Sequence, residues 1–200
     1  MKIKNVKLID FLKKKGGLAG YAEIIEAGFN KAILKSTLNS GQAQKIDRGL
    51  YRLSAGSLLS NPDIVAASIK VPKGILCLLS ALSFHEATSE IPRYVDIAIP
   101  RGKHANKIKY PPVRFYHYAP NIWEAGLEEH EIEGRRIRVY SLARTVVDCF
   151  KFRSKIGMDV ARDALKVAVT EKRIKPKEIM RYAKLCRVES IIKPILEMIL

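Results

Sequence analysis

Two hundred residues with 48% hydrophobic content can fill one large core or two modest ones, which excludes an intrinsically disordered chain. Thirty-six Lys and Arg stand against 20 Asp and Glu, a formal charge of +16, so the partners to expect are polyanions: nucleic acid, an anionic membrane surface or an acidic protein. The longest uncharged apolar stretch, Gly74 to Phe84, is far short of the roughly 20 residues that span a bilayer, so no membrane partner is expected. Cys77, Cys149 and Cys186 are odd in number and far apart, which fits neither a disulfide framework nor a zinc site and points to a reducing cytoplasm.

In chain order, the basic N-terminus is broken by charge every few residues, and no small-residue cleavage site follows. It reads as an amphipathic helix rather than a signal peptide. Leu8, Ile9, Phe11 and Leu12 recur at helical spacing after Asn5, a residue able to cap, and Gly16-Gly17 ends the run. A shorter helix is predicted from about Leu18 to Ala27, closed by Gly28. Asn30 then caps a third helix through Ser40, with Leu34 and Leu38 inward and Gly41 as the stop. The stretch Ser40 to Ser54 has the form of a β-hairpin with Arg48-Gly49 at its tip.

Beyond it the pattern predicts a helix from Pro62 to about Ile69 and another from Ile75 to about Ala87. Val95, Ile97 and Ile99 alternate with Asp96 and Ala98 as a half-buried strand, and Val113 to Tyr118 is a second β segment. A hairpin turns at Glu133-Gly134, and Ser141 caps a helix to about Phe150. Three more helices follow at about Asp159–Thr170, Pro176–Cys186 and from Val188 onward. The expected fold is α+β: a winged helix-turn-helix over 1–58, then a domain over 59–200 that is mixed α/β to about 140 and a helical bundle over 141–200.

Charge locates the functional signal. Residues 1–58 carry 11 basic and 4 acidic groups, 59–120 carry 8 and 4, and 121–200 carry 17 and 12. The first segment is the least neutralised, whereas the last interleaves both signs along helices, as an ordinary solvated face does. A B-form major groove admits one α-helix, and readout needs donors and acceptors on its outer face. Lys31, Lys35, Ser36 and Asn39 supply them. A wing along the adjacent backbone needs basic side chains near its tip, and Lys45, Arg48 and Arg52 meet that need. Tyr51 is expected either to pack beneath the wing or to donate to a phosphate. The partner implied is double-stranded DNA.

Catalytic patterns are thin. His85-Glu86 lacks the second His of a zincin, and His104, His117 and His130 are scattered. Asp96 with Lys103 nearby is a conceivable metal-dependent nuclease centre, but the next strand offers no second acid beside a lysine. No phosphate-binding loop, dinucleotide fingerprint or nucleophile elbow is present. Neither enzyme activity nor a cofactor or metal is expected. Arg144 and Asp148, four apart on a helix, are expected to pair structurally, and Lys151, Arg153 and Lys155 form a basic cluster at that helix's end.

Three stretches together resemble the AbiEi-type antitoxins of type IV toxin-antitoxin systems. AGFNKAILKSTLNSG with IDRGLYRL is similar to that family's winged head, LSALSFHEATSEIPRYVDIAIPRG to its middle segment, and IRVYSLARTVVDCFKFRSKIGMDVARDALK to its C-terminal helical signature. The resemblance implies a cytoplasmic transcriptional repressor of phage defence that binds inverted repeats in the promoter of its own operon. It also implies a C-terminal domain that counters a nucleotidyltransferase-like toxin. The competing expectation is a protein-interaction module that contacts an acidic partner, or the toxin, without binding DNA.

Overall fold

A computed structural model describes residues 2–56, 59–103, 107–132 and 134–200, with side chains from Val6 onward. His104, Glu133 and the side chain of Asn5 lie outside the described residues. The chain is mixed α+β and divides into two units: Met1–Pro72 with Asn106–Val113 and Glu131–Ile137, and Lys73–Ala105 with Arg114–His130 and Arg138–Leu200.

In the first unit, α1 (Lys2–Lys14) begins earlier than the sequence suggests, so Asn5 lies inside the helix rather than capping it. Leu8 and Leu12 are fully buried on its inner face. The predicted helix from Leu18 instead opens with a strand, β1 (Leu18–Gly20), before α2 (Tyr21–Glu26). The reason is tertiary: all three residues of β1 are buried, and they pair antiparallel with Arg52, Tyr51 and Leu50. Next come α3 (Lys31–Asn39), β2 (Ala43–Asp47), β3 (Leu50–Leu53) and α4 (Pro62–Lys70). The three strands form one sheet in the order β1-β3-β2.

Period-2 alternation along β3 sends Tyr51 and Leu53 into a core with Leu8, Leu12, Ile24, Ile33 and Leu34. It sends Leu50 to the opposite face, where Leu18, Val65 and Ala66 meet it. Each aliphatic side chain buried this way contributes about 1.5–3 kcal/mol, so the helices and the hairpin are held by shared burial rather than by local propensity.

A second sheet has five strands in the order β6-β5-β4-β8-β7, of which β4 and β5 lie wholly in the second unit. Its strands are β4 (Ile75–Leu76), β5 (Val95–Pro100), β6 (Val113–Tyr118), β7 (Leu127–Ile132) and β8 (Arg135–Tyr140). The short β4 pairs antiparallel with β5 and parallel with β8. It takes the first two residues of the helix expected from Ile75, and α5 runs only over Leu78–Phe84. Expected to be half-buried, β5 is instead buried at Val95 through Ile99, Asp96 included, because it lies inside the sheet between β6 and β4.

The remaining helices are α6 (Pro120–Trp123), α7 (Leu142–Lys151), α8 (Arg153–Ile156), α9 (Met158–Thr170), α10 (Pro176–Cys186) and α11 (Glu189–Ile199). Ser141 caps α7 by accepting from the Arg144 backbone N–H. This helix is buried from Leu142 to Phe150, and within it Arg144 and Asp148 form an ion pair at 3.0 Å with both side chains wholly buried. No described helix is long and apolar enough to cross a membrane.

Candidate nucleic-acid interface

Local chemistry defines α3. The Asn30 side chain accepts from the Ile33 backbone N–H at 3.0 Å, satisfying one of the free donors of the first turn. Four residues, Ala27 to Asn30, separate it from α2, and the Phe29 ring in that turn lies 5.6 Å from the Phe11 ring of α1. Ile33, Leu34 and Thr37 are buried; the Thr37 hydroxyl donates to the Ile33 carbonyl at 3.0 Å. Lys31, Lys35 and Asn39, spaced by four, fall along one outer line of the helix and are exposed, with Ser36 beside them half-buried. An ammonium, a second ammonium and a carboxamide are therefore presented in succession on a helix whose other side is fixed in the core.

The hairpin follows after three residues. Gly49, at φ +71°, provides the left-handed backbone of the tip, and Arg48 and Lys45 are exposed. Lys45 lies opposite Tyr51 in the β2–β3 register. Tyr51 is 7% exposed and belongs to the core, so of the two roles foreseen for it, packing beneath the hairpin is the one it has. Burial, with the Tyr21 hydroxyl nearby, raises its pKa. Arg52 is placed differently from its neighbours. It shares the β3 face of Leu50, its Nε is buried without a hydrogen-bond partner, and Tyr110 is close enough to feel its charge. Arg52 is thus half-buried on the α4 side of the hairpin, on the other face of β3 from Tyr51, whereas Lys45 is Tyr51's partner in the register.

The single acid of the hairpin, Asp47, is 8% exposed. It accepts from the Arg48 backbone N–H at 2.7 Å and the Lys109 backbone N–H at 3.2 Å, and pairs with Lys70 Nζ at 3.1 Å. Lys70 also donates to the Arg48 carbonyl at 2.7 Å. Burial works against the Asp47 charge, but these donors more than offset it and hold the carboxyl down at about 2. The acid is consumed internally as a clamp on the tip.

Several contributors were not singled out from sequence. Lys70 and Lys109 hold Asp47 from segments 23 and 62 residues away. Arg135, 7% exposed, donates to Glu23 Oε1 at 2.9 Å, to the Lys15 carbonyl at 3.0 Å and to the Leu18 carbonyl. Glu23 in turn accepts from the Gly20 N–H at 2.8 Å, so this guanidinium fastens the junction of β1 and α2. Exposed Lys7 and Lys14, with the exposed acid Asp10 between them, line a groove with Phe11, Ala27 and Phe29, beside the turn that leads into α3. Their signal was available as a basic pair one heptad apart on α1.

Elsewhere, Asp96 is 4% exposed, and among the described residues no group of three or more His, Cys, Asp or Glu is arranged to hold a metal ion. The Lys151, Arg153 and Lys155 cluster is engaged locally: Arg153 donates to the Phe150 carbonyl at 3.0 Å, and both lysines lie within 6 Å of the Phe152 ring centre. The chain matches no protein-family model, and comparison with curated proteins finds no significant match.

Proposed function

We propose that the chain is a DNA-binding transcriptional regulator, a winged helix-turn-helix protein that inserts α3 into a major groove and lays the β2–β3 hairpin along the neighbouring backbone. The observation that carries the reading is the alignment of Lys31, Lys35 and Asn39 on the outer line of a core-anchored helix, followed directly by a hairpin whose sole acid is sequestered. The order helix, strand, helix, helix, hairpin, with β3 between β1 and β2, supports it as the arrangement a winged helix requires. Lys can donate to guanine and Asn can pair with adenine, while Lys45 and Arg48 contact phosphates and fix register. Arg52, half-buried on the other face of β3, is not among the contacts proposed.

With the resemblance to AbiEi-type proteins, the regulator is the cytoplasmic antitoxin of a type IV toxin-antitoxin pair. It represses its own operon, and the residues from about 59 onward counter a nucleotidyltransferase-like toxin. The deciding experiment is fluorescence anisotropy of the full chain on a duplex covering its own promoter, across a salt series. If Lys45 and Arg48 each neutralise one phosphate, log K against log salt falls with a slope of about −1.8 or steeper. A slope near zero, or equal affinity for promoter and scrambled duplexes, overturns the proposal. The antitoxin role is tested by co-expression with the product of an adjacent gene: growth rescue is expected, and its absence refutes that role while leaving DNA binding standing.

A further inference from the structure

A pocket of about 320 Å³ opens in the second unit beside the start of β5. At its inner end is Asp96, 4% exposed, whose Oδ1 has no hydrogen-bond partner. The residue is well positioned. Its backbone N–H donates to Ser80 Oγ at 2.8 Å, and the Ser80 hydroxyl donates to the Tyr94 carbonyl at 3.1 Å. Burial lifts the carboxyl to about 6, with Arg114 and the backbone N–H groups of Leu79 and Ser80 pulling the other way, so at neutral pH it is a charged acceptor with an oxygen unanswered. Such a buried acceptor is unfavourable for folding alone and points to a ligand.

The outer lining has the opposite sign. Arg93, Arg114 and Lys155 line the pocket and are exposed, against one exposed acid, Glu90. Arg114 is braced 4.4 Å from the Tyr94 ring centre and Lys155 5.3 Å from that of Tyr116. Leu79, Pro92 and Ile156 supply apolar wall. A simple cation would meet three positive side chains on the way in, and a simple anion would meet the carboxylate at the end. The ligand that satisfies both carries neutral N–H donors on an inner planar head and a negative group on an outer tail. Among nucleobases, guanine presents adjacent N1–H and N2–H donors on one edge, matched to a carboxylate.

We propose that this pocket binds a guanine nucleotide, with Asp96 reading the base edge and Arg93, Arg114 and Lys155 holding the phosphate. None of these residues belongs to α3 or the β2–β3 hairpin, so the site stands independently of DNA binding. The test is isothermal titration of the full chain with GMP, guanosine and AMP. GMP is expected to bind at least about tenfold more tightly than either of the others. Asp96→Asn should abolish the preference for GMP over AMP. Arg114→Ala, at an exposed side chain, should weaken GMP about tenfold and leave guanosine unchanged. Circular dichroism checks that each variant is folded; if Asp96→Asn is not, the Arg114→Ala result decides. Absence of saturable GMP binding at millimolar concentration, equal affinity for AMP, a preference that survives Asp96→Asn, or equal losses of GMP and guanosine in Arg114→Ala each overturns the proposal.

Discussion

Replacing Asp47 by Asn tests whether the hairpin tip is held by a buried charge. In the parent, the carboxylate pairs with Lys70 at 3.1 Å and accepts from two backbone N–H groups, which lowers its pKa from 3.8 to about 2. Each tenfold change in proton affinity is worth about 1.36 kcal/mol, so the full fall corresponds to about 2 kcal/mol. Screening by solvent at the hairpin end reduces this, and we expect about 1–2 kcal/mol.

A depressed carboxyl pKa stabilises the fold above the unfolded value and ceases to do so as pH falls through the folded one. The contribution is therefore complete at pH 7 and lost between about pH 4 and pH 2. The single tryptophan, Trp123, belongs to the second unit, so its fluorescence does not follow the hairpin. Hydrogen exchange of the peptide spanning residues 43–53 does. Asp47→Asn should accelerate exchange there by about five- to thirtyfold at pH 7, through the clamp alone, although the variant carries one more net positive charge for DNA. Protection equal to the parent's would refute the clamp. So would a gain in protection in Asp47→Asn, as pH rises from 2 to 4, as large as the parent's.

Other outcomes follow from the same contacts. Lys35→Ala should cost about 1–3 kcal/mol of promoter binding with loss of sequence preference, whereas Arg48→Ala should weaken all duplexes alike and shallow the salt slope by about 0.9, both read by anisotropy. Gly126, at φ +79°, has no room for a side chain: an added Cβ would stand 2.8 Å from the Arg144 Cβ. Gly126→Ala should cost about 2–4 kcal/mol in urea unfolding followed at Trp123, against about 1 kcal/mol for Gly102→Ala, which meets nothing within 4 Å. Burial raises the Asp148 pKa, and the Arg144 guanidinium offsets part of that. Arg144→Leu should therefore destabilise by about 3–5 kcal/mol by leaving the carboxylate alone, and a double replacement with Asp148→Leu should recover much of the loss.

The sequence by itself determined what is local or periodic. The spacing of Leu34 and Leu38 and the cap at Asn30 defined α3 and its outward Lys31, Lys35 and Asn39. Arg48-Gly49 marked the tip of the β2–β3 hairpin, Ser141 marked the start of α7, and Arg144 was matched to Asp148 four residues away. These are legible because helix caps, turns and 3.6- or 2-residue periods involve neighbours in the chain.

Tertiary structure alone decided the rest. Leu18–Gly20 and Ile75–Leu76 are strands because distant partners pair with them, whereas their own composition suits a helix equally well. Arg52 resembles Lys45 on paper, yet the parity of β3 turns it to the other face from Tyr51, Lys45's partner in the register. A single boundary near residue 58 could not reveal that 106–113 and 131–137 join the first unit. Nor could it reveal that Lys70, Lys109 and Arg135 anchor Asp47 and Glu23 there. Such contacts arise where burial makes a charge seek any partner within reach, and sequence distance places no constraint on which one it finds.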